Sequence, residues 1–210
     1  MKPIRHVFFD IGGVLATNGW DREQRRTAIE KFGLDEAEFQ ARHEEMVGPL
    51  EQGQITLDEY LDIAVFHEPR TFTKDEFRDF VFSQSRPHQE TIEIARAVSE
   101  GCRYWVMTMN NEGEDLNKHR ICTFGLDEFF DAFLSSCWLG LRKPARRYYD
   151  RALGISEARA GESVLIDDRE QNLAPAKALG MHTIHYRSAT QLAAELEALG
   201  VKFNLKGNSA

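Results

Sequence analysis

The chain has 210 residues, 42% of them hydrophobic, and a formal net charge of −8. That length suits one domain, or one domain carrying a smaller insert, with enough apolar side chains for a real core. The acidic balance argues against nucleic-acid binding, which needs a basic surface; it leaves open a small phosphorylated ligand, because a metal ion and one or two cations can invert the field inside a cleft.

The first strand-like run, residues 5–9, ends on one carboxylate, Asp10, and meets Gly12-Gly13 at once. Residues 17–87 hold no convincing strand. Thr56-Leu57-Asp58-Glu59 and Thr73-Lys74-Asp75-Glu76 have capping-box form. After the first, Leu57, Tyr60, Leu61, Ala64 and Val65 follow helical spacing, which predicts an all-helical block. Strand-like runs return at 103–108, 132–135, 163–166 and 181–186, each after a helix-like stretch. This alternation predicts an α/β domain with a mainly parallel sheet and helices on both faces. Its parts would be 1–16 and 88–205, with 17–87 inserted as a helical lid. Helix stops are expected at Gly33, Gly125, Gly154, Gly180 and Gly200, each between apolar residues. Residues 206–210 read as a frayed tail. Cys102, Cys122 and Cys137 are scattered and odd in number, so free thiols in a reducing compartment are expected. No apolar run is long enough to span a membrane, and none precedes the first strand as a signal peptide. The expectation is a soluble, cytoplasmic protein without a membrane partner.

Ligands of an open parallel sheet bind beyond the carboxyl ends of its strands. Asp10 ends the first run. Thr108 ends the second and is followed by Met109-Asn110-Asn111. Arg142-Lys143-Pro144 follows the third, and Asp167-Asp168 end the fourth. Each alone is an ordinary turn, cap or surface residue. Together they bring carboxylates, a hydroxyl and an ammonium to one sheet edge. Carboxylates with a backbone carbonyl suit Mg²⁺, and Lys143 and Thr108 would hold phosphoryl oxygens. Asp10 would be the nucleophile of an aspartyl-phosphate, with positioning and charge neutralisation carrying most of the catalysis. Gly12 and Gly13 would let the loop turn sharply and bring N–H groups to the anion. Pro144 would bias Lys143 toward extended backbone.

The stretches F-F-D-I-G-G-V-L, V-M-T-M-N-N, R-K-P and V-L-I-D-D-R-E-Q-N-L resemble, in order, the four motifs of the haloacid dehalogenase (HAD) superfamily. They are similar above all to its phosphatase branch, which includes the amino-terminal domain of soluble epoxide hydrolase and sugar-1-phosphate phosphatases. The resemblance implies a Rossmann-like three-layer core with strand order 3-2-1-4-5 and a small helical cap. It implies a Mg²⁺-dependent phosphatase of a small phosphorylated metabolite, such as a sugar phosphate. Asp10 would be nucleophile and metal ligand, and Asp168 a direct ligand with Asp167 beside it. The Gly12 carbonyl would complete the metal set. Thr108 and Lys143 would act on the phosphoryl group, with Gly13, Asn110 and Arg142 as further substrate contacts. In the family a Ser or Thr directly precedes the Asn. Here Met109 intervenes, so Asn110 either keeps the Asn role or is displaced.

A second departure is Gly12, where most family phosphatases carry an Asp that protonates the leaving oxygen. General acid–base help is worth about 10²–10⁴ in rate. Its loss fits an enzyme for easily leaving groups, such as anomeric sugar, acyl or aryl phosphates, or else a weakly active or non-catalytic binding protein. A metal-free haloacid dehalogenase using Asp10 is the enzymatic rival; the missing aromatic at position 12 and the retained Asp167-Asp168 argue against it. A receiver domain shares the residue types but in the reverse order. Among possible substitute acids, Glu112 reads as a first-turn helix acid, His43 as a packed histidine at the junction with the insert, and His67 as a helix-end residue. Arg22, Arg25 and Arg26 read as a solvated helix face.

Overall fold

The structure, a computed structural model, describes residues 2–205; the expected tail, 206–210, lies outside them. Strands β1 (His6–Phe9), β2 (Trp105–Thr108), β3 (Ala132–Phe133), β4 (Ser163–Asp167) and β5 (His182–His185) form one sheet in the order β3-β2-β1-β4-β5. Every pairing is parallel. This is the Rossmann-like α/β architecture, in the order implied by the resemblance. The central strands β1 and β4 are buried along their whole length, as expected of strands covered on both faces.

Helices α5 (Gln89–Glu100) and α10 (Ala189–Ala198) cover one face of the sheet. Ile92, Ala95, Leu192 and Leu196 pack there on Val7, Phe9, Val106 and Val164. Helices α8 (Arg146–Ile155) and α9 (Glu170–Ala178) cover the other, with Tyr148, Tyr149, Leu173 and Ala176 against Phe8, Met107 and Leu165. Helix α6 (Glu114–Thr123) and the short α7 (Ser136–Leu139) follow β2 and β3.

Between β1 and α5 the chain is helical, as the capping signals predict. It folds as α1 (Arg22–Phe32), α2 (Glu36–Glu51), α3 (Leu57–Ala64) and α4 (Lys74–Ser83). Thr56 and Thr73 both form complete capping boxes. The insert has its own apolar cluster, including Phe39, Tyr60, Leu61, Phe77 and Val81, to which α6 contributes Leu116. The chain leaves and re-enters the sheet through one antiparallel pair. Thr17 N donates to Arg86 O (2.9 Å) and His88 N to Leu15 O (2.8 Å).

Two local expectations change. The third strand is two residues long, because Ser135 leaves the sheet as the N-cap of α7. Gly154 does not stop α8, which runs to Ile155; the left-handed residue after it is Glu157, at φ 51°. All three cysteines are free, with Cys137 buried. Among the described residues no helix is long and apolar enough to cross a membrane.

The insert meets the core at Gly53. It has φ +65°, and a Cβ there would lie 2.2 Å from the carbonyl oxygen of Cys137. Gly53→Ala is expected to cost about 1–3 kcal/mol through strain and this clash, read as a lowered midpoint in urea unfolding. An unchanged midpoint would mean that the junction yields without cost.

Candidate active site

Side chains alternate along strands, and this decides which residues reach the site. Phe8, Met107 and Leu165 point to the α8/α9 face. Asp10, Met109 and Asp167 each lie two positions further on and share that side. Hydrogen bonds from Asp10 N to Ile166 O (2.9 Å) and from Met109 N to Phe9 O (2.9 Å) continue the register past β1 and β2.

A buried ammonium ties this edge together. Lys143 Nζ lies 3.1 Å from Asp10 Oδ2 and 2.5 Å from Asp167 Oδ2, and donates to Met109 O at 2.8 Å. The three donors of the ammonium thus have three acceptors, although the residue is only 2% exposed. Asn111 clamps the Lys143 backbone from both sides. Its Nδ2 donates to Lys143 O and its Oδ1 accepts from Lys143 N, each at 2.8 Å. The peptide bond to Pro144 is cis. Asp167 is oriented in turn by Arg169 N (2.8 Å) and Asn172 Nδ2 (3.0 Å).

Asp168 completes a trio in which one oxygen from each of Asp10, Asp167 and Asp168 lies within 4.8 Å of the others. Burial pushes Asp10 up to about 8, against the pull of Lys143 and with Asp167 and Asp168 adding to the rise. Burial and Asp167 likewise raise Asp168, whose Oδ1 is buried without a hydrogen-bond partner. Three crowded carboxylates, one with an orphaned oxygen, fit a hard divalent cation such as Mg²⁺. Gly13 makes room for this trio. At φ +74° it would place a Cβ 2.2 Å from Asp168 Oδ2. Its N–H is not turned to an anion as expected, because it donates to Ala16 O at 2.7 Å.

A cavity of about 270 Å³ opens over Asp10 and is lined by Gly12, Trp20, Arg25, His43, Glu112 and Lys143 among others. Thr108 and Asn110 do not line it. They project toward the other side of the sheet into a buried polar network, in which Thr108 Oγ1 lies 3.4 Å from Asn110 Oδ1, and Asn110 also bonds Asn117 and Ser135. The residue directly before the Asn, on the side of the nucleophile, is Met109. It is fully buried and has no hydroxyl to offer. Arg142 reaches the cavity but is ion-paired with Glu51 of α2 at 2.9 Å, so it joins core to insert.

Arg25 is not on a solvated face. It lines the cavity, held by Gln40 (3.1 Å) and the Trp20 carbonyl (2.9 Å), while Arg22 and Arg26 are exposed. His67 pairs with Glu38 at 3.0 Å. His43 is packed, as expected, but it also faces the cavity. Trp20 Nε1 donates to Tyr60 Oη (3.0 Å), which also hydrogen-bonds with His43 Nδ1 at 2.9 Å. Burial, helped by Arg25, lowers His43 to about 3, so its ring is neutral.

Glu112 precedes α6 and is not in its first turn. It is buried against Arg120, with Oε2 2.8 Å from Arg120 Nη1. Arg120, the largest fully buried side chain, had no signal in the sequence beyond its place on a helix.

The sequence profile of the haloacid dehalogenase-like hydrolases matches residues 4–180. Among curated proteins, the bifunctional epoxide hydrolase 2 of Sus scrofa is 24% identical over 92% of this chain. The chain spans only 38% of that enzyme's length. A sesquiterpene phosphatase, astK of Aspergillus oryzae, is 28% identical over 54% of this chain and 58% of its own. Among solved structures, the HAD family enzyme bt-2542 of Bacteroides thetaiotaomicron superposes with a TM-score of 0.75 at 20% identity, covering 89% of this chain and 95% of that one. It has also been solved in complex with magnesium and inorganic phosphate. A dehalogenase superposes with a TM-score of 0.67 at 17% identity, over 93% and 98% of the two chains. These structures share the fold, and the profile match identifies the chain as a member of the haloacid dehalogenase-like hydrolase family.

Proposed function

We propose that the chain is a Mg²⁺-dependent phosphatase of a small phosphorylated metabolite, such as a sugar phosphate, acting through an aspartyl-phosphate on Asp10. The observation that carries this reading is the Asp10, Asp167 and Asp168 trio with its orphaned Asp168 oxygen, beside a buried lysine. A dehalogenase needs no such trio. Asp10, Asp167, Asp168 and the Gly12 carbonyl would hold the ion. When bound, Mg²⁺ would offset the crowded negative charge and polarise the phosphoryl oxygens.

The protein groups divide the remaining work. Lys143 keeps Asp10 aligned and sets a positive charge where the phosphoryl group arrives. Asn111 fixes the loop that carries the lysine. Met109 replaces the hydroxyl expected beside the nucleophile, which puts more of the phosphoryl grip on Lys143. The helical insert covers the cavity and excludes water, presenting Trp20, Arg25 and neutral His43 to the leaving group. With Gly12 supplying no acid, aryl and anomeric sugar phosphates are the esters for which these residues suffice.

With Mg²⁺ the protein is expected to release phosphate from an aryl phosphate, and EDTA or Asp10→Asn to bring release below detection. Undiminished release under either condition would overturn the reading. Halide release from a 2-chloro acid without metal would favour the dehalogenase. Mg²⁺ binding has its own readout. An ion present at 100 times its Kd stabilises a fold by about 2.7 kcal/mol, so Mg²⁺ is expected to raise the Tm. Gly13→Ala, which displaces Asp168, is expected to abolish that increment whatever it does to the metal-free Tm. An increment of wild-type size in this variant would exclude Asp168 as a ligand.

A further inference from the structure

Position 12 has no side chain, yet the space beside it is not bare. A Cβ on Gly12 would lie 3.2 Å from Asn18 Oδ1 and 3.6 Å from Arg120 Nη1. That same Nη1 holds Glu112 Oε2 at 2.8 Å. Arg120 is itself immobilised. Its Nε donates to Ser85 Oγ (2.9 Å) and its Nη2 to Thr17 O (2.8 Å), one on each crossing into the insert. A buried guanidinium with a partner at each of its three nitrogens therefore fixes a carboxyl group at the wall of the cavity that contains Asp10.

Resting on the phosphatase reading, we propose that Glu112 performs the proton transfers that no side chain at position 12 can. Protonated, it gives its proton to the leaving oxygen as Asp10 displaces that oxygen from phosphorus. Ionised, it then takes a proton from the water that attacks the aspartyl-phosphate. The second step releases inorganic phosphate and restores the Asp10 carboxylate and the Glu112 acid. Arg120 is the positioning residue.

The surroundings of Glu112 suit both states. Burial raises it to about 7, with Arg120 and the Gly113 N–H pulling down and Glu51 pushing up. A general acid–base works best when its pKa lies near the working pH. The other titratable groups of the cavity are unsuited. His43 is neutral down to about 3. Glu51 is held by Arg142 and Asp21 by Arg169, whereas Glu112 is held by Arg120, whose guanidinium lies beside position 12.

The test compares an alkyl phosphate, whose leaving oxygen needs a proton, with an aryl phosphate, whose oxygen does not. Both use Asp10, so their ratio isolates the proton donor. Glu112→Gln is expected to lower kcat/KM for the alkyl ester about 10²–10⁴-fold, to leave kcat/KM for the aryl ester, which covers only the transfer to Asp10, within about threefold, and to lower kcat for both through the shared water step. In the wild type the alkyl-to-aryl ratio should fall as pH rises past about 7, where Glu112 loses its proton; in the variant the ratio should be flat. Gly12→Asp in the Glu112→Gln background should restore alkyl turnover. Should Glu112→Gln fail to fold with Arg120 left unpaired, Glu112→Asp keeps the charge and shortens the reach, and the same selective alkyl loss is expected. Equal loss of kcat/KM on both esters, or a pH-dependent ratio that survives the substitution, would overturn the proposal and leave Glu112 a structural partner of Arg120. Release from neither ester by the wild type would overturn the phosphatase reading itself.

Discussion

The site depends on one interaction, the burial of the Lys143 ammonium among Asp10, Asp167 and the carbonyl of Met109. A lone charge at this depth is strongly disfavoured, and a pair with one member removed is worse than no pair at all. Burial works against the charge of Lys143, but Asp10 and Asp167 more than offset it, and its pKa is raised. Three carboxyl groups, those of Asp10, Asp167 and Asp168, cluster around this one ammonium, and their crowding raises Asp10 and Asp168. That imbalance makes the edge of the sheet a place for a further cation, and it links the ends of β1 and β4 to the loop before α8.

This cluster is assembled by register more than by local sequence. Phe9 pairs with Thr108 on one side and Ile166 on the other, so the next residue of each strand arrives at one level. Of these, Asp10, Met109 and Asp167 share a face. A slip by one residue would send Asp10 to the α5/α10 side. The buried apolar residues on both faces of β1 hold it against that slip.

The architecture was legible in the sequence wherever it rested on periodicity and caps. Alternating strand and helix signals, with the capping boxes at Thr56 and Thr73, led to the parallel sheet and the helical insert. The placing of Asp10, Lys143 and Asp167-Asp168 at one edge was legible because the carboxylates end strands and Lys143 lies in a loop before a helix that follows the third strand. Thr108 and Asn110 show the limit. Their types suited a phosphoryl site, but alternation across a sheet is a property of the folded strand, and it turns them toward Asn117 and Ser135 instead. Glu112 was in view as a substitute acid but read as a first-turn helix residue, and Arg120 was illegible, for a related reason. Their meaning comes from the missing side chain at Gly12 and from two crossings, at Thr17 and Arg86, that are 69 positions apart in sequence, and no local pattern records either.

The paired crossings carry a further consequence. Because the insert departs and returns through adjacent residues joined by backbone hydrogen bonds, the sheet experiences it as a loop of negligible span. Its length and sequence can change without altering the distance between β1 and α5, and loop closure adds little with each added residue. The reacting groups on the sheet and the surface that greets the rest of the substrate are therefore separable units of inheritance. What crosses between them constrains that exchange, including Arg120 to the two crossings, Arg142 to Glu51 and Gly53 against Cys137.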